Sequence, residues 1–258
     1  MTAADLHEDA LLESHTPAEV RRRLLEGPRH SYLRDFVYGG IDGAVTTFAI
    51  VAGVAGAGLS ATVVLVLGVA NLIADGFSMA ASNFLGTRAE QDVRRRVRRD
   101  EAAQIDRFPE GEREEVRQLF AAKGFAGADL DRAVEIITSD RQRWLDTMVR
   151  DEFGLSLTDP SPARAAAATF LAFVAVGSLP LIAFVVEALR IVHVPRPFVL
   201  STALTAAALF LVGALKSRIV KRTWYWAGLE SLLVGGAAAA LAYLIGFWLA
   251  AYGAVSPS

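Results

Sequence analysis

The run ATVVLVLGVANLIADGFSMAASNFLGTRAEQDVRRRVRR, residues 61–99, changes character in mid-course without a break. Residues 61 to about 85 are apolar and hold a single ionisable side chain, Asp75. A hydrocarbon core roughly 30 Å thick is crossed by about 20 helical residues, so this half reads as a membrane span. The second half carries Arg88, Arg94, Arg95, Arg96, Arg98 and Arg99, yet no proline interrupts its helix formers before Pro109. The pattern predicts one long helix that leaves the membrane and stops near Pro109. A span that feeds directly into a charged domain decides the fold.

The rest of the chain repeats that segregation. Of 258 residues, 53% are hydrophobic and 21% charged, but residues 36–86 and 165–252 hold almost none of the charge. A soluble domain would mix polar and apolar residues at a period of 3.6 or 2. Four further spans are expected: Val37 to about Leu59, Ala163 to Ala188, Phe198 to Leu215, and Tyr225 to Tyr252. Gly177 and Pro180 predict a bend in the third span. The expected fold is all-α: a polytopic membrane protein with five transmembrane helices and a helical cytosolic insert between spans two and three. Residues 1–30 form a cytosolic N-terminal tail with a short helix, and 31–87 hold the first two spans. Residues 88–162 form the insert, and 163–258 hold spans three to five with a short C-tail.

Within the tail, residues 1–15 read as disordered. TPAEVRRRLLEG then reads as a short helix with Thr16 as N-cap, Pro17 at its first position, Glu19 closing a capping box and Gly27 as stop. In the insert, PEGEREEVRQLFAAKG, DLDRAVEIITSD and RQRWLDTMVRDEFG read as three helices, the last ending at Gly154.

Lysine and arginine sort to one side. The N-tail, the insert and KSRIVKR at 216–222 are basic and share a side if there are five spans. The N-terminus and insert are therefore expected in the cytosol and the C-terminus outside. Only Arg190 and Arg196 run against this bias. The acidic start, MTAADLHEDALLESH, is unlike a secretory signal, and a plasma (inner) membrane location is expected. There is no cysteine, which removes disulfides, thiolate metal sites and cysteine nucleophiles. The four histidines, His7, His15, His30 and His193, avoid the insert, so no Glu-x-x-His di-iron site is available there. No HExxH, P-loop or G-x-S-x-G motif occurs. The expectation is a transporter without a tightly bound cofactor, not an enzyme and not a nucleic-acid binder.

Acids at bilayer depth are costly unless they face a cavity, a partner or the bundle interior. Asp42 and Asp75 are such acids. An ion or proton site explains them; a buried protonated carboxyl bonded to a neighbouring helix is the plainer alternative. Asn71, Asp75 and Met79 follow at intervals of four on one helical face, as do Asp42 and Thr46. Asp35 lies on the Asp42 face, nearer the inner mouth. The tight turn GAGLS at 56–60 makes spans one and two antiparallel neighbours, so the two polar stripes can meet. Oxygen ligands with a soft thioether suit Fe²⁺ or Mn²⁺ better than Mg²⁺ or Ca²⁺, although methionine also serves plain packing. In the insert, Glu101, Glu112, Glu115, Met148 and Glu152 could cluster or could form a solvated acidic face. Glu112 and Glu115 are helical neighbours, as are Met148 and Glu152. Glu187 and Glu230 lie near span ends and can snorkel to water, with Glu230 the stronger functional candidate of the two.

Several stretches together carry a family likeness: LRDFVYGGIDGAVTTFAIVAG, ADGFSMAASNFLGTRAE, PEGEREEVRQLF, WLDTMVRDEFGL followed by DPSPARAA, and GSLPLIAF. In this order they resemble the vacuolar iron transporter family, which includes yeast and plant vacuolar iron importers and many bacterial members. The resemblance covers roughly residues 31–250. It implies five membrane helices, a homodimer, a cytosolic metal-binding helical domain and divalent metal transport driven by a proton gradient. By position it implies metal roles for Asp35, Asp42 and Met79 in the membrane, and for Glu101, Glu112, Glu115, Met148 and Glu152 in the insert. The chain departs from the iron-transporting members at Asn71 and Gln104, where they have glutamate, and at Val149, where they have a second methionine. Asp75 takes a position that is often small in them, one turn from Asn71, and can restore the lost carboxylate.

The expected function is export of Fe²⁺ or Mn²⁺ from the cytosol by proton antiport, with the metal as transported substrate and protons, the bilayer and a second copy of the chain as partners. A metal-sensing membrane scaffold without transport and an uncoupled cation channel are the alternatives.

Overall fold

A computed structural model of the chain describes residues 12, 14–26, 31–220 and 222–253. Most of the expected N-terminal tail, the Gly27 stop, His7, His30 and residues 254–258 lie outside the described residues. Among the described residues there is no strand. The chain runs through α1 (Pro17–Glu26), α2 (Leu33–Gly56), α3 (Ala61–Arg107), α4 (Pro109–Ala122), α5 (Gly127–Thr138) and α6 (Arg141–Thr147). It continues through α7 (Pro162–Gly177), α8 (Ile182–Ala188), α9 (Pro197–Val220) and α10 (Trp224–Ala251). Among the described residues five stretches are long and apolar enough to cross a bilayer: Leu33–Gly56, Ala61–Arg107, Pro162–Ala188, Pro197–Ile219 and Trp224–Ala251. The protein is an all-α integral membrane protein. It divides into two compact units, Met1–Ser31 with Glu90–Pro160, and Tyr32–Ala89 with Ser161–Ser258.

In the membrane unit α2 packs against α7, α9 and α10. Small residues set how closely. A Cβ on Gly43 would stand 2.5 Å from the carbonyl oxygen of Phe173, and one on Gly39 would strike the carbonyl oxygen of Thr169. The spacing of four on both helices brings backbone against backbone at two successive turns. At the far end of α2, a Cβ on Gly246 of α10 would collide with the Gly53 carbonyl. Helix α2 stops at Gly56, a turn short of the expected Leu59. There Gly58, with φ +69, takes the left-handed conformation that closes the turn, and the Leu59 amide donates to the Val54 carbonyl at 3.1 Å.

The apolar part of α3 buries Val64, Gly68, Leu72, Gly76 and Ala80, one residue per turn. Val66, Ile73 and Phe77 on its other faces are exposed, as a lipid-facing surface requires. The third span is broken where it was expected to bend. Helix α7 ends at Gly177, a 3-10 turn covers Leu179–Leu181, and α8 resumes at Ile182. Pro180 has no N–H to continue the ladder, and the Ser201 hydroxyl donates to the Pro180 carbonyl at 2.6 Å. Helix α9 runs on past the expected Leu215 to Val220, carrying Lys216 and Arg218 on stems that let the charges reach water.

The insert unit is built on Ile105, Val116, Val134, Trp144, Leu145, Met148 and Val149. Asp140 caps α6 by accepting from the Arg143 amide at 2.7 Å. The third insert helix is not one α-helix to Gly154. It widens after Thr147 into a π-helical turn over Met148–Glu152, where the Phe153 amide reaches the Met148 carbonyl at 3.5 Å and the Leu155 amide the Val149 carbonyl at 3.1 Å. The core demands that Met148 and Val149 both face inward, and an extra residue in the turn allows it. Met148 is fully buried while Glu152 is exposed.

Candidate metal sites

Helices α2 and α3 carry the two intramembrane acids, Asp42 and Asp75. Both are half-buried. Asn71, one turn before Asp75, has its Nδ2 buried with no hydrogen-bond partner. A side-chain amide so placed can turn over and present its oxygen. Met79 is half-buried one turn after Asp75. The Thr46 hydroxyl donates to the Asp42 backbone carbonyl at 2.9 Å, so it is occupied by its own helix. Deeper in α2, the Thr47 hydroxyl is buried without a partner.

Asp35 belongs to a separate polar knot. Asn83 Nδ2 donates to Asp35 Oδ1 at 2.9 Å and to Thr169 Oγ1 at 2.7 Å. The Thr87 hydroxyl donates to Asn83 Oδ1 at 3.3 Å. One amide thereby ties α2, α3 and α7. Reasoning from sequence missed Asn83, although it continues the spacing of Asn71, Asp75 and Met79 by one more turn.

In the insert, Glu101 of α3 and Glu112 of α4 are 2% and 3% exposed. Each has an Oε2 buried without a hydrogen-bond partner, and Gln104 Nε2 donates to Glu101 Oε1 at 3.0 Å. Burial, then the Glu112, Glu152 and Glu115 carboxylates, pushes the Glu101 carboxyl up to about 7. Burial, followed by Glu115 and Glu152, pushes Glu112 to about 7 as well. The Glu152 carboxyl, exposed as a residue but partly desolvated by the protein around it, is also raised, with the Glu115 charge adding to the effect. Buried carboxyls that feel one another's charge, as Glu101 and Glu112 do, take up protons or a cation. Met148 is fully buried in the apolar core of the insert, and Arg113 lies over the Trp144 ring at 5.6 Å. The four glutamates interact electrostatically but stand apart: among the described residues no three His, Cys, Asp or Glu side chains are gathered into a ready cage for a metal.

The other candidates have partners. Glu230 is exposed and pairs with Lys216 at 3.6 Å and Arg222 at 3.7 Å, which favours the snorkelling reading over a functional one. Glu187 accepts from the Val194 amide at 3.0 Å. The arginine run is answered from within the insert: Arg94 and Arg95 reach Asp159, Arg98 reaches Asp146 and Arg96 reaches Asp100.

The sequence matches the VIT family over residues 33–247. It is 32% identical over 221 residues to a vacuolar iron transporter of Toxoplasma gondii, covering 83% of this chain and 73% of that protein. It is 31% identical over 214 residues to vacuolar iron transporter 1 of Arabidopsis thaliana, covering 83% and 84%. With vacuolar iron transporter 1 of Eucalyptus grandis it shares 31% identity over 233 residues, covering 88% and 92%.

Proposed function

The chain belongs to the VIT family, and from that premise we propose that it exports a divalent transition metal, Fe²⁺ or Mn²⁺, from the cytosol in exchange for protons. Relatives named vacuolar iron transporters support iron as a substrate. The observation that carries the reading is a half-buried acid on each of two spans, Asp42 and Asp75, with the buried, unpartnered amide of Asn71 one turn from Asp75. A carboxylate in a low-dielectric setting needs a cation beside it or a proton on it. A metal that binds there displaces protons from the same oxygens, so proton counter-flow follows from shared ligands. Asn71 adds an amide oxygen and Met79 a thioether. Asp35, held by Asn83, stands at the inner mouth.

The insert faces the cytosol, where Glu101, Glu112, Glu115, Met148 and Glu152 gather metal. Their open spacing suits a collector that must release its ion, because a closed cage would hold it. The working unit is a homodimer in the plasma membrane. The test is metal flux in proteoliposomes under an imposed pH gradient, with Fe²⁺ and Mn²⁺ supplied in turn. Proton-coupled flux that disappears in Asp42→Ala and Asp75→Ala supports the assignment. Unchanged flux in both variants removes these residues from the path. Tight metal binding by the insert without any flux turns the reading toward a sensor.

A further inference from the structure

The arginine run of α3 is unused by metal transport, and it lines a cleft of about 350 Å³ within the insert unit. Arg94, Arg95 and Arg98 form one wall; Gln142 and Asp146 of α6 form another; Ser156 and Asp159 close the third. We propose that this cleft is a binding site for a phosphate-bearing anion.

Charge and acceptor supply both point there. Three guanidinium groups face two carboxylates in the cleft, and Arg99 borders it in an adjoining hollow with Asp92, Arg95 and Arg98. Among the described residues Arg99 finds only the Arg95 backbone carbonyl, at 3.3 Å. Arg94 is the most deeply set, its side chain 15% exposed, and its Nε is buried with no acceptor. A buried donor left unmatched is unfavourable, and a tetrahedral anion with several oxygens supplies what is missing in the bidentate geometry that guanidinium prefers. Gln142 offers a neutral donor, now spent on both Asp146 oxygens at 3.1 Å.

Asp159 acts as the resident stand-in. Its two oxygens reach Arg94 at 3.2 Å and Arg95 at 3.5 Å, and its side chain is 47% exposed. Those contacts are long and wet, so an incoming phosphate displaces this carboxylate readily. Asp146 differs: it holds Arg98 at 2.7 Å and keeps that guanidinium aimed into the cleft.

The ligand is either a soluble phosphorylated molecule or a phospholipid headgroup. The experiment uses the full chain in nanodiscs of phosphatidylcholine, titrated calorimetrically with inorganic pyrophosphate, and a parallel preparation in which phosphatidylglycerol is added and pyrophosphate left out. In the second arm, protection of Arg94, Arg95 and Arg98 from an arginine-selective reagent is read by mass spectrometry. Saturable binding of pyrophosphate assigns a soluble ligand; protection by the anionic lipid alone assigns a headgroup. Either supports the site. In Arg94→Gln and in the more exposed Arg95→Gln, binding is expected to weaken about tenfold. In Asp159→Asn it is expected to tighten by several-fold. Arg222→Gln, a cation remote in sequence, is the control and leaves binding unchanged. Absence of saturable binding and of protection in both arms overturns the proposal. So does binding that is indifferent to Arg94, Arg95 and Asp159.

Discussion

The acids of the membrane unit and the acids of the insert are arranged on opposite plans. Asp35, Asp42 and Asp75 are spread over α2 and α3, and Asp35 has a neutral amide as its neighbour. Glu101, Glu112, Glu115 and Glu152 repel one another from α3, α4 and the π-helical turn, with two of them pressed against an apolar core. Each ion or proton that enters the glutamate set relieves several repulsions at once. The contrast is between an acid held by a neutral partner and acids that repel one another.

That contrast is open to attack in order of effect. Asp42→Ala or Asp75→Ala should reduce proteoliposome flux to the level of empty liposomes while the insert still binds metal in equilibrium dialysis; loss of both would merge the two plans into one. Gly43→Ala should cost about 1–3 kcal/mol, read as a lower melting temperature of the purified protein, because the new methyl meets the Phe173 carbonyl. Asn83→Ala should lower flux roughly two- to tenfold, the loss of a buried hydrogen bond or two, with flux restored in Asn83→Gln only if the longer amide still spans Asp35 and Thr169.

The insert answers to pH. Glu101 and Glu112 sit near 7 in the fold, above the ordinary value of 4.5, so the folded state holds more protons than the unfolded one. That stabilisation is complete below about 4.5 and is lost as pH climbs through 7. Metal-free protein in chelator should therefore melt lower at pH 8 than at pH 5, and the double change Glu101→Gln with Glu112→Gln should flatten the slope. Metal affinity should run the other way, rising with pH by up to about tenfold per unit for each proton displaced. At the smallest end, Glu230→Gln should move stability by no more than about 0.5 kcal/mol and leave flux intact, since its two ion pairs are wet.

How far these arrangements could be read from sequence depended on range. The spans were legible because their apolar runs are local and long, and the break near Pro180 because proline carries its effect in its own ring. The α2 glycines stand in the sequence, but which carbonyls they meet is visible only in the fold. Asn83 was the avoidable miss: the interval of four that singled out Asn71, Asp75 and Met79 reaches it directly. Its meaning, however, lies in Asp35 and Thr169, separated from it by 48 and 86 residues. The pairing of Glu101 with Glu112 was beyond reach for the same reason, since it exists only after α4 folds back on α3. The π-helical turn had no sequence marker, because nothing between Met148 and Glu152 is a glycine or proline; only the demand of the core for both Met148 and Val149 creates it.

The glycine pair of α2 has a mechanical corollary. Gly39 and Gly43 seat the carbonyls of Thr169 and Phe173, and the next positions at the same interval are Asp35 and Thr47. A slip of one turn in either direction would drive a carboxylate or a hydroxyl into a notch cut for a hydrogen atom. The joint is keyed to a single register. Helices α2 and α7 must travel as one piece, and whatever swings during a transport cycle has to swing about them.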